Sequence, residues 1–321
     1  MLTTKMAGVI TPILTPFDDD LKFQPDLYLE HAGWLLYHGV SGIVPFGTTG
    51  EALSMSVQER LDAVDVLIDG GIDPGYLMPG AGLCNLPETV MLCRQVAERG
   101  CAAALTLPPF FYKNASDDGL FQYFVELIDT VNHPGLKICL YHIPPMVGIG
   151  FSPSLAAQLA SEFPDVVVAY KDSSGDLENT RAVLKAAPGM AVFPGSERFL
   201  REGLECGAMG CISATCNTNP AGIREVYDIL IGRRRGNLGQ AEEKMIHYRN
   251  SVEGYAPIPA MKGLLATQNQ DPRWGNVRPP LVPATHKDLV VLVHTIYRCL
   301  GELPESMRST GVEAGNRERQ Y

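Results

Sequence analysis

The stretch Asp165-Val-Val-Val-Ala-Tyr-Lys-Asp-Ser-Ser-Gly-Asp176 carries a β-branched apolar run of strand length, Val166–Tyr170, into a short polar turn, and Leu177–Ala186 then repeats with a helical period. This strand-turn-helix unit recurs in both directions along the chain. Further strands are predicted at Gly8–Ile13, Gly42–Phe46, Leu77–Ala81, Ala102–Leu107, Lys137–Ile143, Ala191–Pro194 and Gly210–Ala214. Between them the period changes to that of helices at Pro25–Tyr37, Val57–Ile68, Pro87–Arg99, Asp118–Val131, Pro153–Ser161, Glu197–Glu205 and Pro220–Ile229, several opening on good caps such as Ser56 and Ser152-Pro153. Strand and helix in strict alternation build a parallel sheet. Eight units in roughly 220 residues fit a closed (β/α)8 TIM barrel better than an open doubly wound sheet, which uses fewer units and usually a Gly-x-Gly-x2-Gly turn after its first strand. No such turn follows Gly8–Ile13.

Beyond the eighth unit, Gly232-Arg-Arg-Arg-Gly236 leads into helical periodicity from Gln240 to Val252, a Pro257-Ile-Pro259 break, and more helix to about Leu300. The expected organisation is a catalytic barrel over 1–231, a C-terminal helical region over 232–305 packed on it, and a polar tail over 306–321 that is mobile or docked on a neighbouring subunit. The arginine triplet can be read as an anion site or as charge complementing a helix C-terminus, and the second reading is favoured.

The chain has 321 residues, 45% of them hydrophobic and 19% charged, with a formal net charge of −10. Such a surface offers nothing to a phosphate backbone or an anionic membrane, so neither a nucleic-acid nor a membrane partner is expected. No apolar run approaches the ~18 residues of a membrane span, and the first residues lack a signal-peptide core, so a cytoplasmic location is expected. The eight cysteines mostly lie in apolar segments such as Lys137-Ile-Cys-Leu-Tyr141, as buried free thiols do. Cys206, Cys211 and Cys216 recur every five residues rather than in paired Cys-x2-4-Cys spacing, and the histidines show no ligand spacing, so no metal is expected.

In a parallel barrel the chemistry gathers where the strands end. The second strand delivers Gly47-Thr-Thr-Gly-Glu51, the fourth Pro108-Pro-Phe-Phe-Tyr112, and the fifth Tyr141-His-Ile-Pro-Pro145. The sixth delivers Lys171-Asp-Ser-Ser-Gly-Asp176, the seventh Gly195-Ser-Glu197, and the eighth Ile212-Ser-Ala-Thr-Cys-Asn217. Burying an ammonium in surroundings of low polarity favours the free amine, so Lys171 is a candidate nucleophile; the plainer alternative is a lysine paired with a carboxylate such as Asp172. Tyr141 is either a proton-transferring phenol or a core tyrosine. Gly47 and Gly50 frame Thr48-Thr49 in a tight turn that lets hydroxyls and backbone N–H groups come close to a ligand, unless it is only a turn. Lysine, tyrosine and paired threonines in one mouth, with no metal site and no convincing phosphate-binding glycine cluster, suit imine chemistry without a cofactor.

These motifs, with Ile10-Thr-Pro-Ile-Leu-Thr-Pro-Phe17 before them and Pro257-Ile-Pro-Ala-Met-Lys262 after them, resemble the pyruvate-dependent class I aldolases and lyases typified by dihydrodipicolinate synthase and N-acetylneuraminate lyase. The resemblance implies that Lys171 forms a Schiff base with a 2-oxo acid and that Tyr141 relays protons. It implies that Thr48 links Tyr141 to a second tyrosine from an adjacent subunit, for which Tyr112 is the match. Thr49 and the Gly47 turn would hold the oxo-acid carboxylate, and Ile212 and Gly195 would line the imine pocket. The family's usual assembly is a homotetramer, a dimer of dimers.

Departures from the pattern bear on the substrate. Five residues after the tyrosine, dihydrodipicolinate synthase has an arginine that grips a second carboxylate, whereas this chain has Met146, which cannot form a charge-assisted pair. His142 replaces the family's common asparagine. The Lys171–Asp176 segment is similar to that of 4-hydroxy-2-oxoglutarate aldolase and the 2-keto-3-deoxy sugar-acid enzymes, which implies a role for rim hydroxyls such as Ser173 in substrate contact. The expected function is aldol cleavage of a 4-hydroxy-2-oxo acid to pyruvate or a related oxo acid plus an aldehyde. The alternatives are dehydration of a sugar-derived oxo acid, dihydrodipicolinate synthesis, and an oxo-acid-binding barrel without turnover.

Overall fold

The computed structural model describes residues 7–300; the tail expected at 306–321 lies outside them. The chain folds into a (β/α)8 barrel with extra helices at its C-terminal end. Three strands, β1 (Gly8–Thr11), β2 (Gly42–Ile43) and β7 (Gly210–Ile212), form one parallel arc in the order β2-β1-β7. Four more, β3 (Ala104–Thr106), β4 (Ile138–His142), β5 (Val167–Asp172) and β6 (Ala191–Pro194), form a second parallel arc in chain order.

The arcs meet at both ends. On one side the N–H of Met209, just before β7, donates to the carbonyl of Val192 in β6 at 2.9 Å. On the other, the segment 77–80 bridges Ile43 of β2 and Leu105 of β3. This is the third barrel strand expected from the sequence, reduced to isolated bridges. Pro79 has no N–H to give the ladder, and Gly80 lies so close to the segment after β2 that a Cβ there would sit 1.9 Å from the carbonyl oxygen of Phe46. Hydrogen bonds still run to both neighbours, from Met78 N–H to Ile43 at 2.9 Å and from Leu105 N–H to the Pro79 carbonyl at 2.9 Å.

Around the strands lie α1 (Pro25–Tyr37), α2 (Val57–Asp69), α3 (Leu86–Glu98), α4 (Asp117–Val131), the short α5 (Pro144–Val147), α6 (Pro153–Glu162), α7 (Leu177–Ala186), α8 (Leu200–Glu205) and α9 (Pro220–Leu230). Their starts follow the caps read from the sequence. Ser56 and Glu59 form a reciprocal capping box on α2, and the Ser152 hydroxyl accepts the Leu155 N–H at the head of α6. The long apolar core runs through the barrel and its helix layer, from Ile10 and Ile43 to Phe193 and Ile212.

The appendage consists of α10 (Leu238–Glu253), α11 (Pro257–Asn269) and α12 (His286–Leu300). Pro257 and Pro259, read from the sequence as a break, instead occupy the first turn of α11, where a missing N–H costs nothing. Tyr248, Met261, Leu264 and Trp274 share a buried cluster with Leu14 and Leu27 of the barrel, so these helices are fixed to it. Of the arginine triplet, Arg234 pairs with Glu225 of α9 at 3.1 Å, and the N–H groups of Arg233 and Arg234 satisfy the Asp228 carbonyl, which is a helix-end role. Among the described residues no helix is long and apolar enough to cross a membrane.

Candidate active site

Register decides which side chains share the barrel mouth. Parallel pairing of β4 with β5 sets Tyr141 beside Lys171 and His142 beside Asp172. Side chains alternate across a strand, so the first pair faces the barrel interior and the second faces the helix layer. Strand β5 continues two residues beyond the expected end at Tyr170, and Lys171 is therefore held by the ladder rather than by a loop.

Lys171 is buried at 3% exposure, and its Nζ lies 4.2 Å from the centre of the Tyr141 ring. Among the described residues it forms no ion pair. Asp172, the carboxylate that could have claimed it, accepts instead from the Ser174 hydroxyl at 2.6 Å, from Asn179 Nδ2 at 2.9 Å and from Thr180 Oγ1 at 2.8 Å. That carboxylate serves the start of α7 and leaves the ammonium to the barrel.

The Tyr141 hydroxyl is hydrogen-bonded to Thr48 Oγ1 at 3.2 Å. Thr48 sits in a turn closed by hydrogen bonds from Gly50 N–H to Gly47 at 3.1 Å and from Glu51 N–H to Thr48 at 3.2 Å. A side chain on Gly50 would stand 2.8 Å from the Ile13 carbonyl, so only glycine lets the turn seat on the segment that follows β1. The Thr15 hydroxyl fastens it from the other face by donating to the Gly50 carbonyl at 2.8 Å. Thr49 is buried in the same turn.

The structure therefore brings Lys171, Tyr141 and Thr48 into one connected set. Ile212 is buried on β7, paired with Ile10 of β1. Gly195 directly follows β6 with its N–H on the Asp172 carbonyl at 2.6 Å, and Ser173 packs against it so closely that a Cβ at Gly195 would meet the Ser173 hydroxyl at 2.1 Å. Tyr112 stands apart from this set, 72% exposed and edge-on to Phe111.

A cavity of about 670 Å³ opens beside these groups. Gly47, Thr48 and Tyr141 line it, whereas Lys171, Thr49, Ser173, Gly195 and Ile212 do not. His142, which stands in place of the family's common asparagine, points away from it. Its Nδ1 accepts the Phe151 N–H at 3.0 Å, its ring stacks on Tyr170, and burial pushes its pKa down, so it is a neutral structural imidazole. Lys113 does line the cavity, with its ammonium donating to the carbonyls of Phe110 and Val147 at 2.6 Å each.

Sequence reasoning missed the groups that brace the mouth from the appendage. Lys262 of α11 is fully buried on Glu51 at 2.6 Å, and the Arg278 N–H donates to the other Glu51 oxygen at 2.9 Å. Glu197, also buried, takes the guanidinium of Arg249 together with the hydroxyls of Ser213 and Thr215. Both carboxylates stood inside motifs that were noticed, but nothing local to them names a partner hundreds or tens of residues away.

The model of the dihydrodipicolinate synthetase family matches residues 5–297. An uncharacterised DapA-like lyase of Chloroflexus aurantiacus is 30% identical, covering 89% of this chain and 94% of that protein. A 4-hydroxy-tetrahydrodipicolinate synthase of Methanopyrus kandleri is 30% identical over 94% of this chain and 98% of its own. Among solved structures, the dihydrodipicolinate synthase of Acinetobacter baumannii in complex with pyruvate superposes with a TM-score of 0.81 at 26% identity, covering 92% of this chain and 99% of that one.

Proposed function

The chain belongs to the dihydrodipicolinate synthetase family and is a class I lyase, and we propose that it cleaves a 4-hydroxy-2-oxo acid to pyruvate and an aldehyde through a Schiff base on Lys171. The observation that carries this reading is the adjacency of Lys171 Nζ to the Tyr141 ring at 4.2 Å, with the phenol held by Thr48 at 3.2 Å.

The amine of Lys171 adds to the C2 carbonyl, and the carbinolamine loses its hydroxyl as water with the proton that the Tyr141 phenol delivers. The resulting iminium draws electrons from the C3–C4 bond. As that bond breaks, Tyr141 accepts the proton of the C4 hydroxyl, the aldehyde leaves, and the remaining enamine is protonated at C3. Water then releases pyruvate and restores the amine. Thr48 keeps the phenol aimed, while Thr49 and Gly47 hold the oxo-acid carboxylate with backbone N–H groups. Ser173, Gly195 and Ile212 shape the space around the imine. Exposed Tyr112 completes the proton path in the neighbouring protomer of a homotetramer arranged as a dimer of dimers.

The name of the Methanopyrus relative favours a 4-hydroxy-tetrahydrodipicolinate synthase. The resemblance gives that activity an arginine for a second substrate carboxylate, and Met146 stands in its place. The decisive experiment incubates the protein with a panel of 2-oxo acids, assays released pyruvate, and traps the imine with borohydride. Pyruvate release and a reduced adduct on the Lys171 peptide are expected; an adduct elsewhere overturns the assignment.

A further inference from the structure

We infer that the aldehyde half of the substrate is apolar: an aromatic or branched-alkyl group at C4 of the 4-hydroxy-2-oxo acid, rather than a carboxylate or a polyol. The inference rests on the reading of Lys171 and Tyr141 just given. Pyruvate has six non-hydrogen atoms, and the cavity of about 670 Å³ is far larger than it requires. Since Thr48 and Tyr141 line this cavity, the fragment that departs from C4 lies in it.

The walls are hydrocarbon. Leu53, Leu107, Phe110, Met146, Ile258 and Leu281 converge there from the barrel loops and from the appendage. A substrate carboxylate would need an unengaged cation, and a polyol would need unengaged donors and acceptors, because a buried polar group without a partner is costly. The polar groups on the walls are largely committed to the protein. The oxygens of Glu51 hold Lys262 and the Arg278 N–H, at 2.6 and 2.9 Å. Lys113 is the only cation among the described residues that line the cavity, and two of its three donors tether it to the carbonyls of Phe110 and Val147. Thr48 and Tyr141 bond each other. The serines on the Lys171 segment, which sequence resemblance linked to hydroxylated substrates, are elsewhere: Ser174 is spent on Asp172, and Ser173 packs on Gly195 outside the cavity.

The position of Met146 sharpens the point. It is 67% exposed at the rim beside Val147, so it offers an apolar lip to whatever enters. Each methylene buried in such a pocket is worth about a threefold to fourfold gain in binding. A phenyl or branched-butyl substituent therefore accumulates roughly a hundredfold advantage over a group that must be desolvated without a partner.

The test compares kcat/KM for pyruvate release from 4-hydroxy-2-oxo-4-phenylbutanoate, 4-hydroxy-2-oxoglutarate and 2-keto-3-deoxygluconate, in the parent and in Ile258→Arg and Met146→Arg. Borohydride trapping of pyruvate is run on every protein. The expected result is a preference for the phenyl substrate of roughly a hundredfold in the parent, narrowed or reversed in favour of the dicarboxylate in the arginine variants. All three proteins should give the Lys171 adduct. An adduct on Lys171 together with equal or better turnover of the dicarboxylate or the sugar acid by the parent overturns the inference and leaves the lyase reading intact. Absence of any Lys171 adduct overturns both.

Discussion

Lys262 and Glu51, 211 residues apart, form an ion pair of 2.6 Å in which both side chains are fully buried. Glu51 ends the turn that carries Thr48, and its own backbone is left-handed, with φ of 55°. Its second oxygen accepts the Arg278 N–H, and both Lys262 and Arg278 set their charges 4.5 Å from the centre of the Phe17 ring. The appendage is thereby tied to the turn that aims the phenol. Removing one member strands the other charge in the core, so Lys262→Met should cost about 3–5 kcal/mol of stability, while adding Glu51→Gln should recover much of the loss. Denaturant unfolding of the two variants reads this directly; an unchanged midpoint for Lys262→Met would show that the pair is not a structural tie.

The same pair sets a pH dependence of known sign. Burial pushes the Lys262 pKa down to about 8 from the ordinary 10.5, with Glu51 opposing the shift and Arg278 adding to it. The unfolded chain keeps the proton up to about 10.5, whereas the folded one releases it near 8, so in that window unfolding takes up a proton. The parent should gain stability relative to Lys262→Met as pH rises through this range and show a constant difference below it. Unfolding midpoints measured from neutral pH upward decide the matter, and a difference that shrinks across the window contradicts it.

A low pKa is not sufficient for nucleophilic catalysis. Lys262 is enclosed and paired, while Lys171 adjoins the phenol that a carbinolamine needs. Borohydride reduction in the presence of pyruvate should therefore mark the Lys171 peptide and spare the Lys262 peptide. Mass spectrometry of the digest distinguishes them, and Lys171→Ala should abolish the adduct without transferring it to Lys262.

The barrel was legible because it is written locally. Alternating apolar runs and capped helices put the strands in order, and Lys171, Tyr141 and Thr48 fell at strand ends where a parallel barrel does its chemistry. Two errors have local causes as well. Pro79 erodes the third strand to bridges, and the first turn of α11 accepts prolines that read as a break. The role of His142 was not legible because it rests on the Phe151 N–H, a partner beyond the strand that nothing local to the motif names. What stayed hidden depends on distant partners: the Glu51–Lys262 and Glu197–Arg249 pairs, and a cavity wall completed by Ile258 and Leu281 from the appendage.

The Phe151 contact yields a prediction for His142. Its Nδ1 is the acceptor for the buried Phe151 N–H, and burial keeps the ring neutral. His142→Leu should leave that N–H unsatisfied and cost about 1–3 kcal/mol. Pyruvate release should persist, and the pH profile of kcat/KM should keep its shape. An inflection that disappears with the imidazole would place His142 in the chemistry after all.

Tyr141→Phe tests the proton path most directly. The hydroxyl is bonded to Thr48 Oγ1 at 3.2 Å, the ring is held by burial and by its place on β4, and removing one oxygen leaves both of those supports in place. The fold should survive, while kcat for aldol cleavage falls roughly 10²-fold or more, the scale of a lost positioned acid-base group. Since the lysine is untouched, borohydride should still trap pyruvate on Lys171, only more slowly, because carbinolamine dehydration has lost its proton donor. Thr48→Val removes the partner that aims the phenol and leaves the phenol itself, so its kcat should fall less, with KM changed little if Thr48 only orients. Stopped-flow pyruvate release, paired with timed borohydride quenching, separates cleavage from imine formation. Parental rates for Tyr141→Phe in both assays would remove the tyrosine from the mechanism and leave the cavity hydroxyls without a catalytic role.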